Sequence, residues 1–350
     1  MKRVSVLAAV IALLCLGGIA QAVTIATVPV GNAGNAGELS GASVPGGYGP
    51  DRICGAVNYA YNIGKYEVTA GQYTGFLNKV ARTDTYGLYN TLMADPVNYW
   101  GCNIQRTGAS GSYTYTVAGA WANRPVNFVS YWDSCRFANW LHNGQPTGLQ
   151  TATTTERGAY TLDGYNGYDG RTIQRNAGWK WAVTSEDEWY KAAYYKGGGT
   201  SAGYWLYPTE RDTAPSNAGS DGYADPGNHA NYYDYYNNGL TIGSPYYRTN
   251  VGEFENSGSA YGTFDQGGNV WEWNEAIVYQ DATYAYRGLR GGSFGSNKIT
   301  LLASGRSSYI PTDELELIGF RVSEVVPEPS SIIALAGGLA SLLAFRRRRA

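Results

Sequence analysis

The segment that most constrains the fold of this chain is 264–274, Phe-Asp-Gln-Gly-Gly-Asn-Val-Trp-Glu-Trp-Asn. Its two adjacent glycines and the asparagine after them allow a tight turn with positive φ angles. The alternating Val-Trp-Glu-Trp run that follows predicts a short strand with its large apolar groups on one side and Glu272 on another. A buried carboxylate without a partner costs several kcal/mol. The segment therefore predicts either a buried Glu272 with a partner or a turn whose Glu272 is solvated.

The same segment contains the kind of ligands that calcium selects. Asp265 and Glu272 supply carboxylate oxygens, and the glycine-rich turn between them exposes backbone carbonyl oxygens. Hard oxygen ligands of this type are preferred by Ca²⁺. The turn is therefore a candidate calcium site.

Three motifs in order then indicate a family. They are Gly-Asn-Val-Trp-Glu-Trp at 268–273, Arg-Gly-Gly-Ser-Phe at 290–294 and Gly-Phe-Arg at 319–321. In these motifs the chain resembles the sulfatase-modifying-factor family, whose founding activity is formylglycine generation, and the resemblance covers most of 55–325. It implies a C-type-lectin-like α+β fold with few short helices and strands, long loops and bound calcium.

The resemblance also implies two sets of calcium ligands. The first set includes Asn231 and the carbonyl oxygen of Tyr232. The second set, in which the middle two residues act through their carbonyl oxygens, is Asp265, Gly268, Val270 and Glu272. If the second site exists, Glu272→Ala is predicted to lower the melting temperature and to abolish stabilisation by calcium.

The catalytic centre that the family implies is altered in this chain. Active formylglycine generators carry two cysteines after the Gly-Gly-Ser-aromatic motif, and these soft thiolates bind copper(I). The matching positions here are Ser296 and Leu301, and leucine has no ligand atom. Copper is therefore not expected, and the sequence favours a domain without the family's oxidase activity.

Clusters of aromatic residues favour a binding role instead. Tyrosine pairs occur at 232–233, 235–236 and 246–247. Tyrosine offers rigid amphipathic contact area at low entropic cost, which suits a glycan or a protein loop. The alternative is that tyrosine simply covers the surface of a chain in which only 15% of residues are charged.

Three amphipathic helices and several strands are predicted within an α+β domain at 23–326. Thr69 with Gln72, Ser130 with Asp133, and Thr184 with Asp187 have the spacing of helix-capping residues. The predicted helices follow these caps, and the second one spans 131–142. Strands are predicted at 61–68, 113–117 and 179–183, with strand-like pieces around Val270, Leu289 and Phe320. The stretch 23–50 is predicted to be an irregular lead-in.

Both ends of the chain resemble export signals. Residues 1–22 have the basic start, apolar middle and small-residue end of a signal peptide. Residues 327–350 contain an apolar run followed by four arginines and resemble a PEP-CTERM sorting signal, which an exosortase recognises; an ordinary membrane anchor is the alternative. The chain is thus predicted to be exported to the bacterial envelope or beyond, with transient anchoring through its tail.

The charge and the cysteines set further limits. Without the six basic residues of the termini and Glu328, 20 basic and 27 acidic residues remain, so the processed chain carries about seven net negative charges and nucleic acid is not an expected partner. Cys54, Cys102 and Cys135 remain after export, and one disulfide with one free thiol is expected in an oxidising compartment. Cys54 with Cys102 is the predicted pair.

Two functions follow from these observations. The favoured one is a calcium-stabilised envelope protein that binds a ligand through its loops. The alternative is an active oxidoreductase of the family that acts on a peptide substrate through residues that the sequence motifs do not reveal.

Overall fold

The computed structural model describes residues 22–219, 226–237 and 239–326. The predicted signal peptide, except for Ala22, and the predicted sorting tail lie outside these residues. Within them, no helix has the length and apolar character needed to cross a membrane.

Short strands and a few helices, joined by long loops, make up the described part of the chain. The helices are α1 to α4, in order Ala70–Val80, Gly119–Ala122, Tyr131–His142 and Glu186–Tyr194. The strands are β1 to β14, in order Thr27–Val30, Glu38–Ser40, Arg52–Cys54, Tyr61–Gly64, Ile104–Thr107, Thr114–Val117, Trp181–Val183, Tyr233–Asp234, Gly239–Leu240, Trp271–Gln280, Ala285–Arg290, Ser307–Tyr309, Ile318–Phe320 and Val322–Val325.

The first sheet joins both ends of the domain. Its strand order is β1-β4-β14-β7, and all three pairings are antiparallel. Strand β1 lies inside the stretch 23–50, so the prediction of an irregular lead-in is wrong there. The lead-in forms a strand because β4 offers an edge to which Thr27–Val30 can hydrogen-bond.

The second sheet carries the segment 264–274 into the core. Its order is β12-β11-β10-β13, and β10 pairs with β13 in parallel. The predicted strand at Val270 begins one residue later, at Trp271, and runs on to Gln280. Glu272 lies opposite Arg290 on β11 and Gly319 on β13, which brings the three sequence motifs together.

Aromatic side chains fill the core between the helices and the second sheet. Phe137 of α3 lies 5.2 Å from Phe76 and 5.4 Å from Phe320, measured between ring centroids, in edge-to-face contacts. Trp273 is fully buried and donates its indole hydrogen to the carbonyl oxygen of Val129. Such rings bury large areas and favour tilted contacts, so they fix how the helices sit on the sheet.

Local capping signals place the helices close to the predicted positions. Thr69 and Gln72 form a capping box at α1, and Ser130 and Asp133 form one at α3. Helix α4 is capped by Ser185 with Glu188, one residue later than the predicted pair Thr184 and Asp187. Serine in the N-cap position satisfies backbone N–H groups that the first turn leaves free.

The predicted disulfide is not formed. Cys54, Cys102 and Cys135 are all free and buried. Cys54 packs beside Trp189, whereas Cys102 and Cys135 lie in the main core. Spacing along the sequence does not tell whether two cysteines meet in space, and that is why the prediction failed.

Candidate functional site

The glycine-rich turn brings residues of the two predicted calcium sites into contact. Asp265 and Asn269 have positive φ angles, and Gly268 has a φ of +89°. A Cβ atom at Gly268 would lie 2.1 Å from the carbonyl oxygen of Asn231, so only glycine fits there. The same oxygen accepts a 2.7 Å hydrogen bond from the backbone N–H of Asn269.

Glu272 is buried and fully engaged. Arg321 donates to its two carboxylate oxygens at 2.6 Å each, and the indole of Trp189 donates to one of them at 2.7 Å. Both charged side chains are completely buried. A bidentate pair of this kind is among the strongest side-chain contacts. The partner expected for a buried Glu272 is therefore Arg321.

Arg321 also ties the turn to the first sheet. It donates to the carbonyl oxygens of Gly64 and Phe264 at 2.9 Å each. Arg306 likewise pairs with a buried carboxylate, that of Glu186, which Arg290 contacts as well. Both arginines thus hold distant loops together by charge-assisted hydrogen bonds.

Two further carboxyl groups lie near this pair. Glu67 is 1% exposed, and neither of its carboxylate oxygens has a hydrogen-bond partner. Burial and the nearby Asp265 raise the pKa of Glu67 well above its usual range. Burial likewise raises the pKa of Asp265 to about 6, although the backbone N–H of Gly252 donates to it at 2.6 Å.

The other predicted calcium ligands differ in how free their oxygens are. The side-chain oxygen of Asn231 is buried without a partner. The carbonyl oxygen of Tyr232 already accepts hydrogen bonds from Asn217 and Thr241. Val270 is fully buried. Among the described residues, no three side chains of His, Cys, Asp or Glu form a group that could hold a metal ion.

Ser296 and Leu301, the two positions predicted to replace the family's cysteines, have different environments. The hydroxyl of Ser296 lies 2.8 Å from that of Ser293. Leu301 is fully buried and packs with Tyr207, Ala230 and Tyr232. At this place the chain therefore offers a hydroxyl pair and a core leucine.

An exposed aromatic surface lies beside Ser296, whose carbonyl oxygen accepts a hydrogen bond from the backbone of Tyr233. The side chains of Tyr235 and Tyr236 are 74% and 87% exposed. Together with neighbouring residues they line a shallow cavity of about 380 Å³. We call this surface the tyrosine shelf and define it by Tyr233, Asp234, Tyr235, Tyr236, Lys298 and Ile299.

A second aromatic cluster, which the sequence did not predict, surrounds Phe294. The rings of Trp100 and Tyr247 lie 5.9 and 5.7 Å from the ring of Phe294. Trp100 and Tyr247 both have positive φ angles. Nothing in the local sequence marks Trp100, because its partners are more than 140 residues away.

The fold and this arrangement of motifs define a C-type-lectin-like domain with a buried Glu272–Arg321 pair. The chain belongs to the family described as sulfatase-modifying factor enzyme 1-like, whose sequence profile matches residues 51–325. The predicted family and fold are thereby confirmed. Residues 325–349 match the PEP-CTERM protein-sorting motif.

Several solved structures are similar to the chain. CarF is 18% identical, with 87% of this chain and 100% of that one covered and a TM-score of 0.49. PvdO from Pseudomonas aeruginosa is 19% identical, with 87% and 99% covered and a TM-score of 0.47. Treponema denticola variable protein 1 is 16% identical, with 86% and 95% covered and a TM-score of 0.44. No protein of the curated set matches the chain.

Proposed function

We propose that this exported member of the family is a ligand-binding module of the bacterial envelope, that it is stabilised by calcium and that it lacks the family's copper chemistry. The observation that carries the proposal is that Ser296 and the buried Leu301, the positions expected to match the cysteine pair, offer no thiol and lie next to an exposed tyrosine shelf. The sorting motif at 325–349 supports export to the envelope and recognition by an exosortase.

The three cysteines do not offer a substitute for the missing pair. Burial raises the pKa of Cys54 to about 11 and also raises the pKa values of Cys102 and Cys135. Burial thus disfavours the thiolate, the form that binds metal, and Cys54 lies in a different core cluster from Cys102 and Cys135. This chemistry supports a role other than copper oxidation.

The tyrosine shelf has the composition of a sugar-binding surface. Tyr235 and Tyr236 are largely exposed, and their rings meet edge to face with centroids 5.2 Å apart. Asp234 and Lys298 lie beside them and can exchange hydrogen bonds with hydroxyl groups. Rigid aromatic area combined with a few polar groups is what binding a saccharide ring requires.

A binding experiment tests the shelf. The wild-type chain and the double variant Tyr235→Ala/Tyr236→Ala are screened against an array of bacterial glycans, and the affinity for any glycan that binds is measured. We expect the double variant to lose binding while its melting temperature stays within about 2 °C, because both side chains are exposed.

The matched control is Tyr279→Ala, which removes a tyrosine that is 55% exposed on β10, outside the shelf. It should bind like the wild type. Equal loss of binding in the control, or undiminished glycan binding in the double variant, would place the ligand elsewhere. Binding of a protein but of no glycan would replace the sugar by a protein ligand.

The alternative function is tested directly by mass spectrometry. The copper-treated chain is incubated with a cysteine-containing peptide of the kind found in sulfatases, beside an active enzyme of the family. We expect the thiol to stay unchanged. Conversion to an aldehyde would overturn the proposal and would mean that ligands other than positions 296 and 301 hold copper.

Calcium remains part of the proposal because several ligand groups fit it. The side chain of Asp265 and the unpartnered side-chain oxygen of Asn231 are hard oxygen donors. Both belong to the turn region that Gly268 and Asn269 organise. Calcium that binds only the folded state raises the melting temperature, so the wild type should melt higher in calcium than in a chelator. Equal melting temperatures would contradict calcium binding.

A further inference from the structure

We propose that Glu67, acting together with Asp265, is a calcium ligand in this chain, and that Glu272 serves instead as the fixed partner of Arg321. The inference rests on the calcium stabilisation proposed above and names the carboxylates that hold the ion. Glu67 lies outside the three sequence motifs, two residues before Thr69, the N-cap of α1.

Glu272 is poorly placed to receive a cation. Its two oxygens accept three hydrogen bonds, two of them from the guanidinium of Arg321. A calcium ion on this carboxylate would have to lie beside a fixed positive charge, and like charges repel strongly where water is excluded. The ion is therefore more stable on carboxylates that Arg321 does not occupy.

The carboxylate of Glu67, unlike that of Glu272, is not occupied by another side chain. It is buried, and both of its carboxylate oxygens lack a hydrogen-bond partner. A buried charge is expected to be paired or to coordinate a metal, and each unsatisfied buried polar group calls for an explanation. The unpartnered oxygens of Glu67 are therefore available to coordinate a cation.

The backbone holds Glu67 near Asp265. Two residues before Glu67, the carbonyl oxygen of Lys65 accepts a 2.9 Å hydrogen bond from the backbone N–H of Phe264, which directly precedes Asp265. Among the charged groups nearby, Asp265 raises the pKa of Glu67 the most, ahead of Glu272. The two carboxylates thus belong to one cluster.

When all three carboxyls of this cluster are ionised, its charges do not balance. Glu67, Asp265 and Glu272 supply three carboxylates, and Arg321 supplies one positive charge. The ammonium of Lys65 lies instead over the rings of Tyr66 and Phe264, at 5.3 and 5.2 Å. One divalent cation would compensate the two excess negative charges.

A surface cavity lies next to the cluster. Asp265 keeps partial exposure. Glu67, Tyr66 and Val251 contribute to the lining of an open surface cavity of about 570 Å³. Residue Gly252, which follows Val251, donates to the carboxylate of Asp265. Calcium needs six to eight oxygen ligands, so water and backbone carbonyl oxygens would complete the two carboxylates.

A proton is the competing explanation for the free oxygens of Glu67. If Glu67 is simply a protonated acid, its replacement by glutamine leaves the charge of the cluster unchanged, and the affinity for calcium does not depend on this residue. If Glu67 is a ligand, glutamine removes one of the two negative charges that attract the ion. The two explanations therefore predict different responses to calcium.

The test compares four forms of the full chain: the wild type, Glu67→Gln, Glu67→Asp and the control Glu255→Gln. Glu255 is exposed and lies ten residues before Asp265, so its replacement removes the same charge outside the cluster. Calcium affinity is measured by titration calorimetry with calcium chloride, and melting temperatures are measured in calcium and in chelator.

We expect Glu67→Gln to weaken calcium binding by on the order of 100-fold and to lose the calcium-dependent rise in melting temperature, because ligand charge sets affinity. Glu67→Asp should still bind calcium and gain thermal stability from it, but less than the wild type does, and Glu255→Gln should match the wild type. An unchanged affinity in Glu67→Gln would overturn the role of Glu67 while calcium binding stands. No binding by the wild type would overturn both proposals.

Discussion

At the scale of single residues, the Glu272–Arg321 pair holds together the parts of the chain that the three motifs occupy. Arg321 contacts the glycine-rich turn through Phe264 and the first sheet through Gly64, while its charge is balanced by Glu272. A buried pair of this kind contributes little net stability compared with apolar residues, but its two members depend on each other.

We therefore expect Glu272→Ala to lower the free energy of unfolding by about 3–5 kcal/mol, because Arg321 is left buried without its partner. The double variant Glu272→Leu/Arg321→Met should lose less stability than the sum of the losses in Glu272→Leu alone and in Arg321→Met alone. Urea unfolding at saturating calcium measures both quantities.

The control is Arg157→Ala, which breaks the exposed pair with Asp163. Exposed pairs are worth about 0–1 kcal/mol, so this variant should unfold almost like the wild type. Additive losses in the Glu272 and Arg321 variants would show that the two side chains act independently, contrary to the structure.

The sequence predicted part of this site and not the rest. The burial of a carboxylate between two tryptophans indicated that Glu272 would need a partner, and the structure supplies Arg321. The free oxygens of Glu67 could not be predicted, because they depend on which groups meet in space and not on the residues adjacent in the chain. The same reason explains the wrong pairing of Cys54 with Cys102.

At the scale of elements, two carboxyl groups meet at the start of helix α3: Asp133, which is buried, and Glu314, which is partly buried. Asp133 caps the helix through Ser130, and the nearby Glu314 accepts a 2.6 Å hydrogen bond from the side chain of Asn90. Burial and the charge of Asp133 raise the pKa of Glu314 to about 8.

This shift predicts a pH dependence of stability. A carboxyl whose pKa is raised by folding binds its proton more tightly in the folded state. Its contribution to the free energy of unfolding is therefore full below about pH 4.5 and is lost as the pH rises through about 8. The wild type should therefore lose stability between pH 5 and pH 8 in urea unfolding, and Glu314→Gln should lose less over the same range.

Glu316→Gln is the control for that comparison, since it changes a carboxyl two residues away. It should keep the pH dependence of the wild type. The same pH dependence in Glu314→Gln and in the wild type would show that Glu314 does not titrate in this range. All forms are compared at one saturating calcium concentration.

The helices were predictable because their signals are local. The capping boxes at Thr69 and Ser130 are made by residues three apart in the sequence. Strands depend on partners that are distant, and the predicted strand 61–68 ends at Gly64 because its pairing with β1 ends there. Strand β1 itself was missed for the same reason.

At the scale of the whole molecule, the last strand connects the domain to its sorting segment. Strand β14 lies between β4 and β7, so it holds the first sheet together from the inside. The sorting motif at 325–349 begins at the last residue of this strand. Removal of the tail is therefore compatible with the fold only if β14 remains intact.

This arrangement predicts a sharp boundary for truncation. A fragment of residues 23–326 keeps every strand of the first sheet and should melt within about 2 °C of the longer form 23–350. A fragment that ends at residue 321 lacks β14, exposes the edges of β4 and β7 and should not unfold cooperatively, because unpaired backbone groups and apolar surface are then left open.

Melting followed by circular dichroism, with 23–322 as an intermediate length, measures this boundary. Cooperative melting of the 23–321 fragment at the temperature of 23–326 would show that β14 is dispensable and that processing could extend into the domain.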